Sequence, residues 1–256
     1  MRRASAGRAF HFLTFPVILI LFAPVALPGA ALSGGNRRSA VDIPGVIRHG
    51  ERKRREVALT FDACSSRGRG RLDTAVARIL IQTRTPATIF LGGKWAKDVA
   101  RALRPLLGDS LIEFGNHAYM HPHLMGLSGD SVCHELRQAQ RAIARVIGKP
   151  PVLFRAPYGE VDSLIATVAE SLGLTTIQYD LASGDPDSLI SEEAMVRYVT
   201  SMARGGSIIV MHINTRGWHS AEALPGIIAG LRKRGFTFVT VSRLINPRPE
   251  HVPEAR

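Results

Sequence analysis

The sequence predicts an α/β protein made of seven successive βα units, with parallel strands closed into a barrel. Three observations carry this reading. Short β-rich apolar runs alternate with longer amphipathic stretches of helical period through residues 56–245. Strands joined by helical crossovers run parallel. Residues able to act as acid, base or metal ligand stand where the strands end: Asp62 after the first, His117 and His121 after the third, Arg155 after the fourth, Asp180 after the fifth and His212 after the sixth. In a parallel barrel these ends share one rim, which favours closure over an open sheet.

The elements follow in order. Val57-Ala58-Leu59-Thr60-Phe61 is the first strand, and Arg71 to Gln82 the first helix. Pro86 opens a second strand, Ala87 to Leu91, with a helix from Trp95 to Leu107 behind it. A third strand, Leu111 to Phe114, leads into a histidine-rich loop and a helix from Val132 to Ile147. The fourth strand is Val152 to Phe154, with a helix over Asp162 to Ser171 ended by Gly173. Thr175 to Tyr179 is the fifth, and a helix from Glu192 to Ala203 stops at Gly205-Gly206. Ser207 to Met211, the sixth, is apolar enough to be buried on both faces. A helix from Ala221 to Arg234 leads to the seventh, Phe236 to Val241.

The N-terminus stands apart from this core. Arg2, Arg3 and Arg8 precede an apolar run from Phe12 to Leu27, and small residues follow at Gly29, Ala30 and Ala31. That pattern is a secretory signal peptide over residues 1–31, with cleavage after Ala30 or Ala31. Pro16, Pro24 and Pro28 make a poor stable span, which favours cleavage over an uncleaved anchor. The expectation is an exported protein of the periplasm, envelope or medium, with no stable membrane insertion once the signal is removed. Residues 32–55 read as a basic, disordered linker, and 246–256 as an exposed tail.

The chain's net charge of +12 suggests nucleic acid until it is located. Residues 1–55 hold 10 basic and 2 acidic residues, leaving 23 and 19 for the rest. The excess sits in leader and linker, so nucleic acid is not an expected partner; anionic envelope polymers or lipid headgroups are the contacts such a basic segment suits. Cys64 and Cys133 are the only cysteines, compatible with one disulfide or with a free thiol at Cys64. Oligomeric state has no readable signal.

Chemistry concentrates in Asn116-His117-Ala118-Tyr119-Met120-His121-Pro122-His123. Two imidazoles four residues apart reach one divalent ion when a helical turn separates them, and Pro122 stops such a turn at His121. Alone that spacing is weak, since surface or hydrogen-bonded histidines share it. The other motifs give it weight. Thr60-Phe61-Asp62, His117-Ala118-Tyr119-Met120-His121, Arg155-Ala156-Pro157-Tyr158-Gly159, Asp180-Leu181-Ala182-Ser183-Gly184-Asp185 and Ile209-Val210-Met211-His212 resemble, in order and spacing, the five motifs of the polysaccharide deacetylase family, the NodB-homology carbohydrate esterases. The Arg155 motif is the most specific of the five.

That resemblance implies a distorted (β/α)7 barrel of the NodB-homology type, and hydrolysis of acetyl groups on a polysaccharide. It implies a divalent metal on His117 and His121, zinc in the first instance with cobalt or nickel as alternatives. Asp62 would be the general base and His212 the acid for the leaving amine. Arg155 would pair with Asp185 or Asp180 and steer the base. Tyr158 would offer its backbone N–H to the oxyanion, and Asp180 would contribute to substrate binding.

Two departures from the family pattern stand out. Ala63 occupies the position of a second aspartate that usually ligates the metal, and Asp73, Cys64 and His123 are the candidate replacements. Asp73 equally suits a helix N-cap. Pro186 stands where the fourth motif has tryptophan, altering one wall of the sugar pocket. The leading expectation is N-deacetylation of an N-acetylglucosamine-containing polysaccharide, peptidoglycan or exopolysaccharide. An O-acetyl esterase on acetylated glycan and a catalytically silent glycan-binding domain are the alternatives.

Overall fold

A computed structural model describes residues 43–65 and 70–246. The expected signal segment, residues 1–31, lies outside the described residues, as do residues 247–256 of the expected tail. No helix among the described residues is long and apolar enough to cross a membrane.

The strands are β1 (Val46–Ile47), β2 (Glu56–Ala63), β3 (Ala87–Leu91), β4 (Ile112–Asn116), β5 (Leu153–Phe154), β6 (Thr175–Ile177), β7 (Leu181–Ala182), β8 (Ile208–His212) and β9 (Thr237–Phe238). All named strand pairings are parallel, in the order β1-β6-β5-β4-β3-β2-β8-β7, with β9 on β2. The helices are α1 (Thr74–Gln82), α2 (Gly93–Asp98), α3 (Ala100–Leu107), α4 (Gly129–Ile147), α5 (Ser163–Ser171), α6 (Glu192–Met202), α7 (Ser220–Lys233) and α8 (Val241–Ile245). This is the α/β architecture with parallel strands that the sequence predicts, but the expected closure into a barrel is corrected: the sheet curls into a half-barrel whose path ends at β1 and β7. The expected fifth strand divides into β6 and β7, which pair with different neighbours. Its break has a local cause: Gln178 N–H donates to Ile47 O at 2.7 Å, while Asp180 N–H turns to Ile208 O at 3.3 Å.

Residues 43–55 correct the linker expectation. Val46 and Ile47 form the edge strand β1 on β6, and isoleucine 47 packs against the barrel interior. The expected seventh strand is also shorter; after Phe238 the chain turns inward as α8. Helix N-terminal N–H groups need partners. Here Val241 N–H finds Thr88 Oγ1 at 2.9 Å, and Ser242 N–H finds Glu113 Oε2 at 3.2 Å.

Alternation along β2 separates two environments. Val57, Leu59, Phe61 and Ala63 face the helix layer in the main apolar core. Ala58 faces inward with Phe90, Leu153, Ile177 and Ile208, and α8 plugs that space with Val241 and Leu244. The next inward positions on β2 are Thr60 and Asp62, which places the carboxylate at the rim where the strands end.

Candidate active site

Asp62 reaches the rim from the last inward position of β2, on a strand paired to β3 and β8 along its length. Its partner is Arg155, which follows β5 and points across the barrel. Arg155 is fully buried and donates through Nη1 to Asp62 Oδ1 at 2.9 Å and to Thr60 Oγ1 at 2.8 Å. Nη2 donates to Gln178 O at 3.2 Å, and the guanidinium lies 4.1 Å from the Phe90 ring centroid. Thr60 Oγ1 in turn donates to Ile209 O at 2.8 Å. A buried guanidinium needs such a shell of acceptors. Burial alone would raise the Asp62 carboxyl, but the charges of Arg155, His117 and His212 outweigh it and hold it below the ordinary carboxylate value. The expected Arg155 pairing with Asp185 or Asp180 is therefore replaced: the arginine faces inward across the barrel, and both other aspartates are engaged elsewhere.

Asp180 serves the opposite end of the barrel. Its carboxylate accepts from Arg52 Nη1 at 2.9 Å, Ser207 Oγ at 3.0 Å and Ile208 N–H at 2.8 Å. Ile208 opens β8, so Asp180 pins the strand's start and does not line the cleft. The expected substrate contact at Asp180 is corrected accordingly.

Asp185 holds His212. Its Oδ1 lies 2.9 Å from His212 Nδ1, and Oδ2 accepts from His212 N–H and Ser220 Oγ, both at 2.6 Å. Asp185 is 1% exposed, so the imidazole is fixed by a carboxylate that is itself fixed. This leaves Nε2 of His212 for the cleft, which the ring lines.

His117 leaves β4 with Nδ1 2.8 Å from Arg155 O; a carbonyl only accepts, so Nδ1 carries the proton and Nε2 is a bare lone pair. That Nε2 lies 3.8 Å from Asp62 Oδ2. The His121 ring sits 4.9 Å from His117 and 4.5 Å from Tyr158, edge to face in both cases. Burial depresses both imidazoles, and the His117 charge adds to the effect on His121, which falls to about 3. No helical turn joins them, contrary to expectation. Ala118 and His121 instead adopt left-handed φ of 59° and 61°. Tyr158 does the same, so three of the four described non-glycine residues with positive φ belong to this site. Such strain persists only where surroundings impose it. Here Asn116 Oδ1 accepts Ala118 N–H, Glu135 Oε2 accepts Tyr119 N–H and Met120 N–H, and the opening amides of α2 donate to Ala118 O and Tyr119 O.

The cleft joins Asp62, His117, His121, Tyr158, Asp185 and His212 with Tyr179, Ser183, Pro186 and Arg216. Sequence reasoning assigned no role to Thr60, Ser183, Ser220 or Arg216. Thr60 and Ser183 lie inside two of the five motifs, whereas nothing in the chain's pattern marked the other two.

The metal expectation meets an incomplete donor set. His117 and His121 offer neutral imidazoles, but among the described residues no three His, Cys, Asp or Glu side chains converge as ligands. A catalytic zinc site uses three protein ligands, so these residues do not fit one. Asp73 caps α1, accepting from Ala75 N–H and Val76 N–H. His123 stacks on Tyr158 at 3.9 Å and bonds Glu160 at 2.9 Å. Cys64 is a buried thiol pushed up to about 11 by burial and the Asp62 charge. It is not in a disulfide, and neither is Cys133.

A curled parallel sheet here gathers a buried carboxylate, Asp62, and the imidazoles of His117, His121 and His212 in one cleft at its strand ends. The polysaccharide deacetylase family matches residues 49–177, and the chain belongs to that family. It is 30% identical over 180 residues to the bifunctional xylanase/xylan deacetylase of Cellvibrio japonicus, covering 70% of this chain and 26% of that one. The chain thus spans about a quarter of that relative's length. Bc1960 peptidoglycan N-acetylglucosamine deacetylase superposes with TM-score 0.72 at 25% identity, over 79% of this chain and 93% of the other. The family pseudoenzyme BA3943 of Bacillus anthracis superposes with TM-score 0.68 at 25% identity, over 78% and 68%.

Proposed function

We propose that this cleft removes N-acetyl groups from an N-acetylglucosamine-containing polysaccharide outside the cell. The observation that supports it most is the ionised Asp62, locked by Arg155, sharing one cleft with a His212 oriented by Asp185. An acetamide resists hydrolysis because its carbonyl is a poor electrophile and its amine a poor leaving group. Asp62 takes a proton from water as the oxygen bonds to the carbonyl carbon. His212 delivers a proton to the nitrogen as the C–N bond breaks, leaving acetate and a free amine. The Asp185 carboxylate keeps the ring aimed and stands opposite its charge while the proton passes. His117, with its bare Nε2, and the His121 ring line the same cleft, and Tyr158 packs edge to face on His121. With only two imidazole donors in place, no step is assigned to a metal.

One relative, a peptidoglycan N-acetylglucosamine deacetylase, supports the amide reading, whereas the xylan deacetylase favours an ester substrate instead. A second reading, a catalytically silent glycan-binding domain, is favoured by Ala63 and the missing third donor, and the family does contain a pseudoenzyme. Acetate release from N-acetylglucosamine oligomers, peptidoglycan and acetylated xylan, with wild type and His212→Ala, tests the proposal. We expect release from the first two that falls 10²–10⁴-fold in the variant. Release from xylan alone would replace the amide by an ester, and glycan binding without any release would establish the silent reading.

A further inference from the structure

The end of the barrel opposite the cleft carries a cationic face that the hydrolytic reading does not use. Three segments build it: residues 50–55 before β2, 203–206 before β8 and 232–236 before β9. They are zipped by backbone bonds, Gly50 N–H to Gly206 O at 2.8 Å, Gly206 N–H to Glu56 O at 2.7 Å and Thr237 N–H to Arg55 O at 2.8 Å. Gly205 makes this approach feasible, since a Cβ there would stand 2.3 Å from Arg54 O.

On this face Lys53, Arg55, Arg204, Arg232, Lys233 and Arg234 are all exposed. Among the described residues none of the six pairs with a carboxylate. Three are nonetheless held in place. Arg55 and Arg234 stack on one ring, Phe236, at 5.4 and 5.1 Å, and Arg232 stacks on Phe238 at 5.7 Å. Their guanidiniums donate to neutral acceptors: Arg55 to Arg234 O, Arg234 to Thr200 O, and Arg232 to Thr83 O at 3.0 Å. Two guanidiniums sharing a ring, with only neutral acceptors beside them, repel each other. An anionic partner relieves that repulsion. Tyr198 and Met202, one turn apart on α6, are 49% and 45% exposed, and the same helix meets this face where Thr200 O accepts from Arg234.

We propose that this face docks on an anionic phospholipid surface, turning the cleft outward from it. Fixed cations flanked by exposed aromatic and apolar side chains suit a headgroup layer, where each basic residue near the surface strengthens binding roughly fivefold. Residues 50–55, which lead into β2, lie on this face.

The full chain is titrated with vesicles of phosphatidylcholine, alone or with added phosphatidylglycerol. Residues 1–42, with five arginines of their own, are common to wild type and variant, so only the difference between those two counts. Wild type is expected to prefer phosphatidylglycerol vesicles, less so at high salt. The triple variant Lys53→Gln/Arg204→Gln/Lys233→Gln, at positions that make no side-chain bond here, is expected to lose that preference by roughly a hundredfold. Its acetate release from soluble oligomers stays unchanged, which shows the fold intact. Equal wild-type binding to both vesicles, or a preference the variant keeps, overturns the proposal. So does binding to soluble polyphosphate without any phosphatidylglycerol preference, which would make the partner a free polyanion.

Discussion

The pair that decides this site is Arg155 and Asp62, two opposite charges buried together and bonded at 2.9 Å. Removing one strands the other, which costs about 3–5 kcal/mol. Arg155→Met is therefore expected to lose that much stability by urea unfolding, and Arg155→Met/Asp62→Asn to lose less; a single-variant loss under about 1 kcal/mol would mean the charges are not coupled. The two imidazoles allow a second test. Zinc held by His117 and His121 alone should wash out on dialysis, and His121→Ala should abolish what binding there is. Tight retention of one equivalent would mean that another ligand joins them. Asp62, His117, His121 and His212 do share one cleft, and that grouping was legible because acids and imidazoles at strand ends are visible as a pattern. It misassigned the partner of Arg155, because which side chains meet across a barrel depends on tilt and curl that the chain's order does not record.

Elements are where the metal candidates separate. Asp73 sits before α1 in extended conformation and satisfies two of its free amides. Asp73→Ala should cost about 1 kcal/mol of stability and leave acetate release unchanged. An activity loss with full stability would return Asp73 to the list of ligands. Most strands and helices were legible from period alone, including the helix Asp162 caps. The errors fell at short segments. Trp95 to Leu107 is two helices broken near Val99, and Phe236 to Val241 turns from strand into α8 because a plug, not another full strand, fills the barrel's open end. Two-residue strands such as β1 have no period to read, so an edge strand looked like linker.

At the scale of the whole molecule, the fold buries imidazoles as neutral groups and pays in acid. His121 falls to about 3 in the folded chain from an ordinary 6.5, so between those values the unfolded chain binds the extra proton. Stability is then fully present above about pH 6.5 and is lost as pH falls toward 3. His117 acts in the same direction. Asp62 adds a loss at the acid end, since its contribution is present above its unfolded value and disappears as the carboxylate protonates. Urea midpoints should decline steadily from pH 7 to 4; a flat profile would show that the imidazoles are open to water.

The most direct measurement is acetate release from N-acetylglucosamine oligomers by wild type and Asp62→Asn, with binding of the oligomer followed in parallel. Release by wild type that drops at least 100-fold in the variant, while the oligomer still binds, is the result expected of a general base. An oligomer that binds wild type and is never deacetylated would contradict the account and make the cleft a glycan-binding site.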